Sequence, residues 1–352
     1  LVPGAIGMRG AIFGALGSRL GTAIHMGTFR PSRRLDSTVG QNLAAALLLS
    51  LISSIVLAVL AKAVAVAFGV DALISITDFL VISVVGALLA SVFVAGITLA
   101  VAGLSVRRGW DLDNVASPIV TAAGDVVTLP GLWLATFLVG VHWVTPTVGA
   151  ACVIAGVVSL GYTLRSRAPI LRRVVLESLP VLVVAGAISV IAGVAVQARL
   201  TDLLEYKALL IMLPPFLEDA GALGGILASR LSTRLHLGLI EPSLLPGRTV
   251  AADIILVYLF AVPVFVLVGI SSDVVATLGH YSSPGSLEMI QVALLGGLLA
   301  TSAAVLVAFY GAAGTYRFSL DPDNHGTAIV TSTVDLLGAF AFILALAVLG
   351  LG

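Results

Sequence analysis

A single cysteine, Cys152, is the only thiol in the chain, so neither an intrachain disulfide nor a multi-cysteine metal site can form. Charge is almost as scarce. Charged residues make up 10% of the 352 residues, against about 25% in ordinary soluble domains. So few charges cannot cover the surface of a water-soluble protein of this length. The 18 basic and 18 acidic residues cancel, which removes the electrostatic footprint of a nucleic-acid binder. His-Glu-x-x-His, Gly-x-Ser-x-Gly and P-loop patterns are absent, and with them the common signatures of zinc, serine and nucleotide hydrolases. The chain reads as something other than an enzyme. It opens on Leu1 rather than Met, without a charged n-region and cleavage site, and reads as trimmed at its front.

Apolar residues account for 59% of the chain. Ala45–Phe68, Leu80–Leu104, Val174–Val196 and Val292–Tyr310 are each predominantly apolar over the roughly 20 residues that cross the hydrocarbon. The fold class expected is all-α, a polytopic protein of the cell membrane whose first partner is the lipid bilayer.

Two segments recur in order. Leu1–Pro31 aligned with Met212–Pro242 gives 12 identities in 31 positions, among them Pro3/Pro214, Gly10/Gly221, Arg19/Arg230 and His25/His236. Asp111–Pro130 aligned with Asp321–Phe340 gives 7 in 20. The offsets, 211 and 210, are nearly equal, so the intervening helices also match in number and length. Such duplication is the sequence trace of a two-fold transporter fold. The second copy predicts five spans, over 172–197, 208–238, 249–271, 287–312 and 322–351. The first copy supplies counterparts of the last four, over 2–28, 40–69, 78–105 and 112–140, and one more span is expected upstream. An extra apolar segment covers 145–164. The organisation predicted is a first repeat over 1–141, a connecting helix and cytoplasmic loop over 142–171, and a second repeat over 172–352. Five spans and one connector place both repeats the same way up, related by an axis along the membrane normal.

The positive-inside rule gives an independent orientation. Arg30, Arg33, Arg34, Arg107, Arg108, Arg165, Arg167, Arg172, Arg173, Arg248 and Arg317 fall on one side, and only Arg199 and Lys207 on the other. The arginine-rich side is then cytoplasmic and the C-terminus lies outside.

Asp125 and Asp335 each interrupt an apolar stretch, 14 residues past the first Asp of a repeated Asp-x-Asp-Asn motif. That spacing is roughly 20 Å of helix. Intramembrane acids mark ion or proton pathways by default. At helical spacing Asp125 shares a face with Asn114, Pro118, Thr121 and Thr128, and Asp335 with Asn324, Ala328, Thr331 and Gly338. Equal depth and two-fold symmetry would set the two carboxylates on opposite walls of one cavity. Two carboxylates match a divalent cation, whereas alone together they repel. Oxygen-only ligands favour a hard ion such as Mg²⁺, carried as substrate and held through its waters. Inward movement of a double charge is favoured by about 4.6 kcal/mol per 100 mV of inside-negative potential.

The remaining polar residues admit two readings each. Asp111, Asp113, Asn114 and their copies Asp321, Asp323 and Asn324 are either helix N-caps or a gate at the cytoplasmic mouth. Arg19 and Arg230 are structural, snorkelling or paired with those acids. Glu218 and Asp219 have Gly7 and Met8 as counterparts, and would add a ligand group or a proton site on one side only. Asp253, opposite Asn42, is a further candidate near the inner interface. Even Asp125 and Asp335 have a structural alternative, pairing with a neighbouring helix.

Pro3–Gly27, with its glycines, Ser18-Arg19-Leu20 and His25-x-Gly27, resembles the second membrane helix of the MgtE magnesium transporter family. The likeness is closer to that family's two-repeat branch, which includes eukaryotic solute-carrier relatives. Asp111-Leu-Asp-Asn-Val-Ala-Ser-Pro118 continuing to Thr121 and Asp125, and Asp321-Pro-Asp-Asn324 continuing to Thr331 and Asp335, look like its last-helix signature. The resemblance implies a five-helix unit that dimerises around a pore in bacteria and is fused twice here. It also implies that the pore aspartate binding hydrated Mg²⁺ maps onto Asp125 and Asp335. An asparagine that follows the second-helix glycine in the family is replaced by Ala11 and Ala222. The magnesium-sensing cytoplasmic domains of bacterial members have no counterpart in this sequence.

The expectation is therefore transport of a divalent cation, Mg²⁺ above others, through a central pore between the repeats. A monomer suffices and a homodimer stays open. Exchange of Mg²⁺ for Na⁺ or H⁺ is the alternative mechanism. An intramembrane aspartyl protease is the alternative from another class, but Ala122-Ala-Gly-Asp125 departs from Gly-x-Gly-Asp and no Tyr-Asp dipeptide occurs.

Overall fold

The computed structural model describes residues 1–30, 32, 34–69, 74–110, 112–236, 238–243, 245–317 and 322–351. Within these it describes every side chain except those of residues 25, 112–118, 121, 202, 229, 232, 233, 236, 315 and 322–329. The described residues form eleven helices: α1 (Val2–His25), α2 (Thr38–Ala67), α3 (Ile76–Arg108), α4 (Leu112–Thr136), α5 (Val144–Arg165), α6 (Pro169–Gln197), α7 (Leu200–Glu205), α8 (Lys207–His236), α9 (Arg248–Leu278), α10 (Ser286–Arg317) and α11 (Pro322–Leu349). Among those residues there is no strand. A lipid-facing backbone must satisfy its own hydrogen bonds, and helices do this within one segment.

Among the described residues, eight helices are long and apolar enough to cross a membrane, namely α2, α3, α5, α6, α8, α9, α10 and α11. The chain is thus an all-α polytopic membrane protein.

Local chemistry fixes several helix ends. Ser37 accepts a hydrogen bond from Gly40 N at the start of α2. Ser75 and Asp78 form a reciprocal capping box at the start of α3. That helix ends with Arg107 and Arg108 in its last turn and Gly109 in the left-handed region, φ 66°, which glycine adopts without steric cost. Two elements differ from the sequence expectation. α7 is an additional helical turn. α9 runs to Leu278 rather than stopping near residue 271, because the polar run Ser271-Ser272-Asp273 is satisfied inside the fold. Ser271 Oγ donates to Val268 O at 3.2 Å, and Asp273 accepts from Ser283 Oγ at 2.6 Å and from Ser286 Oγ.

The chain divides into two compact units, Leu1–Val190 and Ile191–Gly352. In the first, α1 packs on α2, α3 and α4, while α3 packs on α2 and α4. In the second, α8 packs on α9, α10 and α11, while α10 packs on α9 and α11. These are the same five helix pairs under the sequence repeat. Small residues let the backbones approach, as expected where dispersion rather than the hydrophobic effect drives packing. A Cβ on Gly86 of α3 would lie 2.8 Å from Leu132 Cα of α4.

The first unit also holds α5, against α2 and α3, and most of α6. Leu171, Val174, Val175 and Leu182 of α6 share a cluster with Ile12, Phe13 and Leu16 of α1. Ile170 N donates to Gln41 Oε1 of α2 at 3.0 Å. The boundary between units falls inside α6, whose last turns supply Ala192 and Val196 to the second unit's core.

Candidate ion site

Asp335 sits in the middle of α11, which packs against α8 and α10. It is 8% exposed. One turn earlier on the same face, Thr331 is half-buried against α8, where a Cβ on Gly221 would lie 3.8 Å from it. Asp125 occupies the equivalent position of α4, which packs against α1 and α3, and is half-buried. Its neighbour Gly124 faces α1, where a Cβ would lie 3.9 Å from Arg9 Cγ. Thr128, on the Asp125 stripe, turns its hydroxyl to Gly124 O at 2.5 Å. Asp335 is thus buried within α11, and Asp125 half-buried within α4.

Both Asp-x-Asp-Asn motifs fall where helices begin, α4 at Leu112 and α11 at Pro322, and proline suits a first helical position. Asp111, Asp113, Asn114, Thr121, Asp321, Asp323 and Asn324 themselves lie outside the described residues or side chains. Glu218 and Asp219 are both half-buried on α8. As consecutive residues they point about 100° apart around the helix. Met8, the counterpart of Asp219, is buried in the first unit, against Gly186 of α6.

Asp253 is 4% exposed, and its two oxygens meet Arg230 at 3.0 Å and Arg234 at 2.5 Å. Its charge is committed to two guanidiniums of α8. Arg230 thus reaches Asp253 of α9. Arg19, its counterpart, donates from Nε to Ala15 O at 3.0 Å on its own helix. Where the second unit has the ion cluster, the first has neutral Asn42, whose Nδ2 donates to Thr38 O at 2.9 Å. Among the described residues no three His, Cys, Asp or Glu side chains gather as a metal-holding group.

Sequence reasoning passed over Arg9, Arg234 and the serines Ser50, Ser53, Ser54 and Ser83. A signal for Arg9 was present: a charge inside a glycine-rich apolar helix, with Ala220 at the repeat-equivalent position.

Two like helical units, each with an acid inside a helix that begins at the repeated motif, define a duplicated polytopic membrane protein. The chain belongs to the MgtE family of divalent cation transporters, whose family model matches it twice, over residues 2–135 and 213–345. It is similar to solute carrier family 41 member 2 of Gallus gallus, 30% identical over 248 residues, covering 67% of this chain and 42% of that protein. The human member 2 is 27% identical over 368 residues, covering 96% of this chain and 61% of that protein. Solute carrier family 41 member 3 of Mus musculus is 25% identical over 374 residues, 96% of this chain and 72% of that protein. The chain thus spans less than two thirds of the length of these member 2 proteins. No solved structure matches it.

Proposed function

We propose that the chain carries Mg²⁺ across the membrane along a path lined by α4 and α11, with Asp125 and Asp335 as the acids that attract the ion. The observation that carries this reading is the recurrence of one shielded carboxylate at equivalent places in two like units. Each is embedded in the helix whose motif marks the family. A carboxylate pair offers hard oxygen ligands and a charge of minus two, suited to a small divalent cation. Mg²⁺ dehydrates reluctantly, so it is held through its waters. The two repeats stand the same way up about an axis along the membrane normal, with the arginine-rich loops in the cytoplasm and the C-terminus outside. One chain then forms a complete path, and the inside-negative potential drives uptake.

A second reading rests on Glu218 and Asp219, half-buried acids that only the second unit carries. They are placed to bind Na⁺ or H⁺ in exchange for Mg²⁺. Flux in liposomes with and without counter-ion gradients separates the two: transport under voltage alone removes obligatory exchange.

The pore assignment is tested by Asp125→Ala and Asp335→Ala. Each is expected to abolish Mg²⁺ uptake while the unfolding midpoint and gel-filtration profile stay unchanged. Uptake retained in both single variants removes the assignment.

A further inference from the structure

We propose that the first unit binds a single halide ion, of chloride's size and charge, in a small serine-lined cavity against Arg9. The cavity lies among α1, α2 and α3, has room for one water-sized guest (about 10 Å³), and is lined by Arg9, Ser50, Ser53, Ser54 and Ser83 together with apolar residues. Arg9 is 5% exposed. Its Nη1 donates to Ala87 O at 2.9 Å, while its Nε is buried without a hydrogen-bond partner. Ser83 Oγ donates to Ser54 O at 2.7 Å, and Ser54 Oγ to Leu51 O at 2.9 Å. These bonds tie the wall of the cavity to the helix backbones.

Three properties select the guest. A guanidinium keeps its proton under any ordinary condition, so the site carries a full positive charge. The residues lining the cavity include no carboxylate, and an uncompensated charge inside a membrane protein is costly. The volume inside the cavity suits a one-atom or water-sized guest. Water would meet the free Nε–H but leave the charge unbalanced. A halide meets both needs, and the Arg9 guanidinium with the Ser50 and Ser53 hydroxyls of the lining offers donors that suit it.

The second unit gives independent support, because there the cation is replaced and an aromatic ring stands where a cavity serine does. At the repeat-equivalent positions Arg9 becomes Ala220, and Ser50, Ser53, Ser54 and Ser83 become Ala261, Val264, Phe265 and Ala293. The Phe265 ring fills the space, so close over Gly297 that a Cβ there would come within 2.2 Å of it. Gly124, beside the Arg9 stem, is replaced by Val334. The halide would balance Arg9 next to the helix that carries Asp125. Binding itself does not rest on the transport reading, since it is measured without flux.

The test is anomalous diffraction from crystals of the full chain soaked in sodium bromide. It is paired with unfolding midpoints in sodium chloride or bromide against sodium gluconate at equal ionic strength. The expected result is a bromide peak in contact with the Arg9 guanidinium and a midpoint raised by a few degrees. Both are lost in Arg9→Gln and in Ser54→Phe, which copies the second unit's plug and keeps the arginine should Arg9→Gln fail to fold. Water alone in the cavity, an Asp125 carboxylate seated on Arg9 in the halide's place, or a halide-dependent midpoint that survives in Ser54→Phe would overturn the proposal.

Discussion

The second unit packs one continuous apolar core around three phenylalanines, while the first splits its core into three clusters beside a buried arginine. In the second, the Phe216 ring lies 5.3 Å from Phe265 and 5.1 Å from Phe342, centroid to centroid. Their counterparts in the first are Ala5, Ser54 and Leu132. The five helix pairs that pack are the same in both units. One scaffold therefore tolerates two different fillings: an aromatic plug over glycine, or a polar cavity with a cation. The acids of α4 and α11 recur unchanged, while the layer behind them has diverged. That division separates what the proposed ion path needs from what merely holds the helices together.

Exchanging the fillings is the most direct way to break this comparison. Phe265→Ala should destabilise the protein by about 3–5 kcal/mol, the usual cost of emptying a buried aromatic site, read as a fall in the unfolding midpoint in detergent. Ser54→Ala in the first unit should cost less than about 1.5 kcal/mol, since one neutral hydrogen bond is at stake. Equal losses would mean that the two cores are not differently filled.

The next contrast is ionic. Asp253→Ala leaves Arg230 and Arg234 facing each other without their shared carboxylate, and about 3 kcal/mol of destabilisation is expected. The matching change Asn42→Ala should cost about 1 kcal/mol. Thermal unfolding of the two variants side by side checks the ratio, and an Asp253→Ala protein as stable as Asn42→Ala would show the ion cluster to be idle.

The smallest expected effect concerns the outer turns. The start of α3 is capped by its own Ser75 and Asp78, whereas Ser283 and Ser286 at the start of α10 bind Asp273 of the preceding helix. Ser75→Ala should cost about 1 kcal/mol, as a lost N-cap does. Asp273→Ala should cost more, because it frees two serines and unties α9 from α10. The same unfolding assay ranks them.

Much of this was legible beforehand for identifiable reasons. The helices followed from apolar runs long enough to span the hydrocarbon. The end of α9 was misplaced because Ser271-Ser272-Asp273 reads as a loop until Ser283 and Ser286 come into reach. The two acids stood out through their repeated spacing. Asp253 did not reveal its partners, since Arg230 and Arg234 lie on another helix.

Sequence alone thus determined an all-α membrane protein with two copies of one helical motif, because length, apolarity and repetition are properties of the linear chain. Only tertiary structure decided that α6 packs mostly within the first unit. It also decided that Phe265 fills over Gly297 the space that Arg9 and its serines leave open beside Gly124. Such outcomes depend on which faces meet and on whether a side chain at one position fits a gap left by another far along the chain. No linear pattern records that fit.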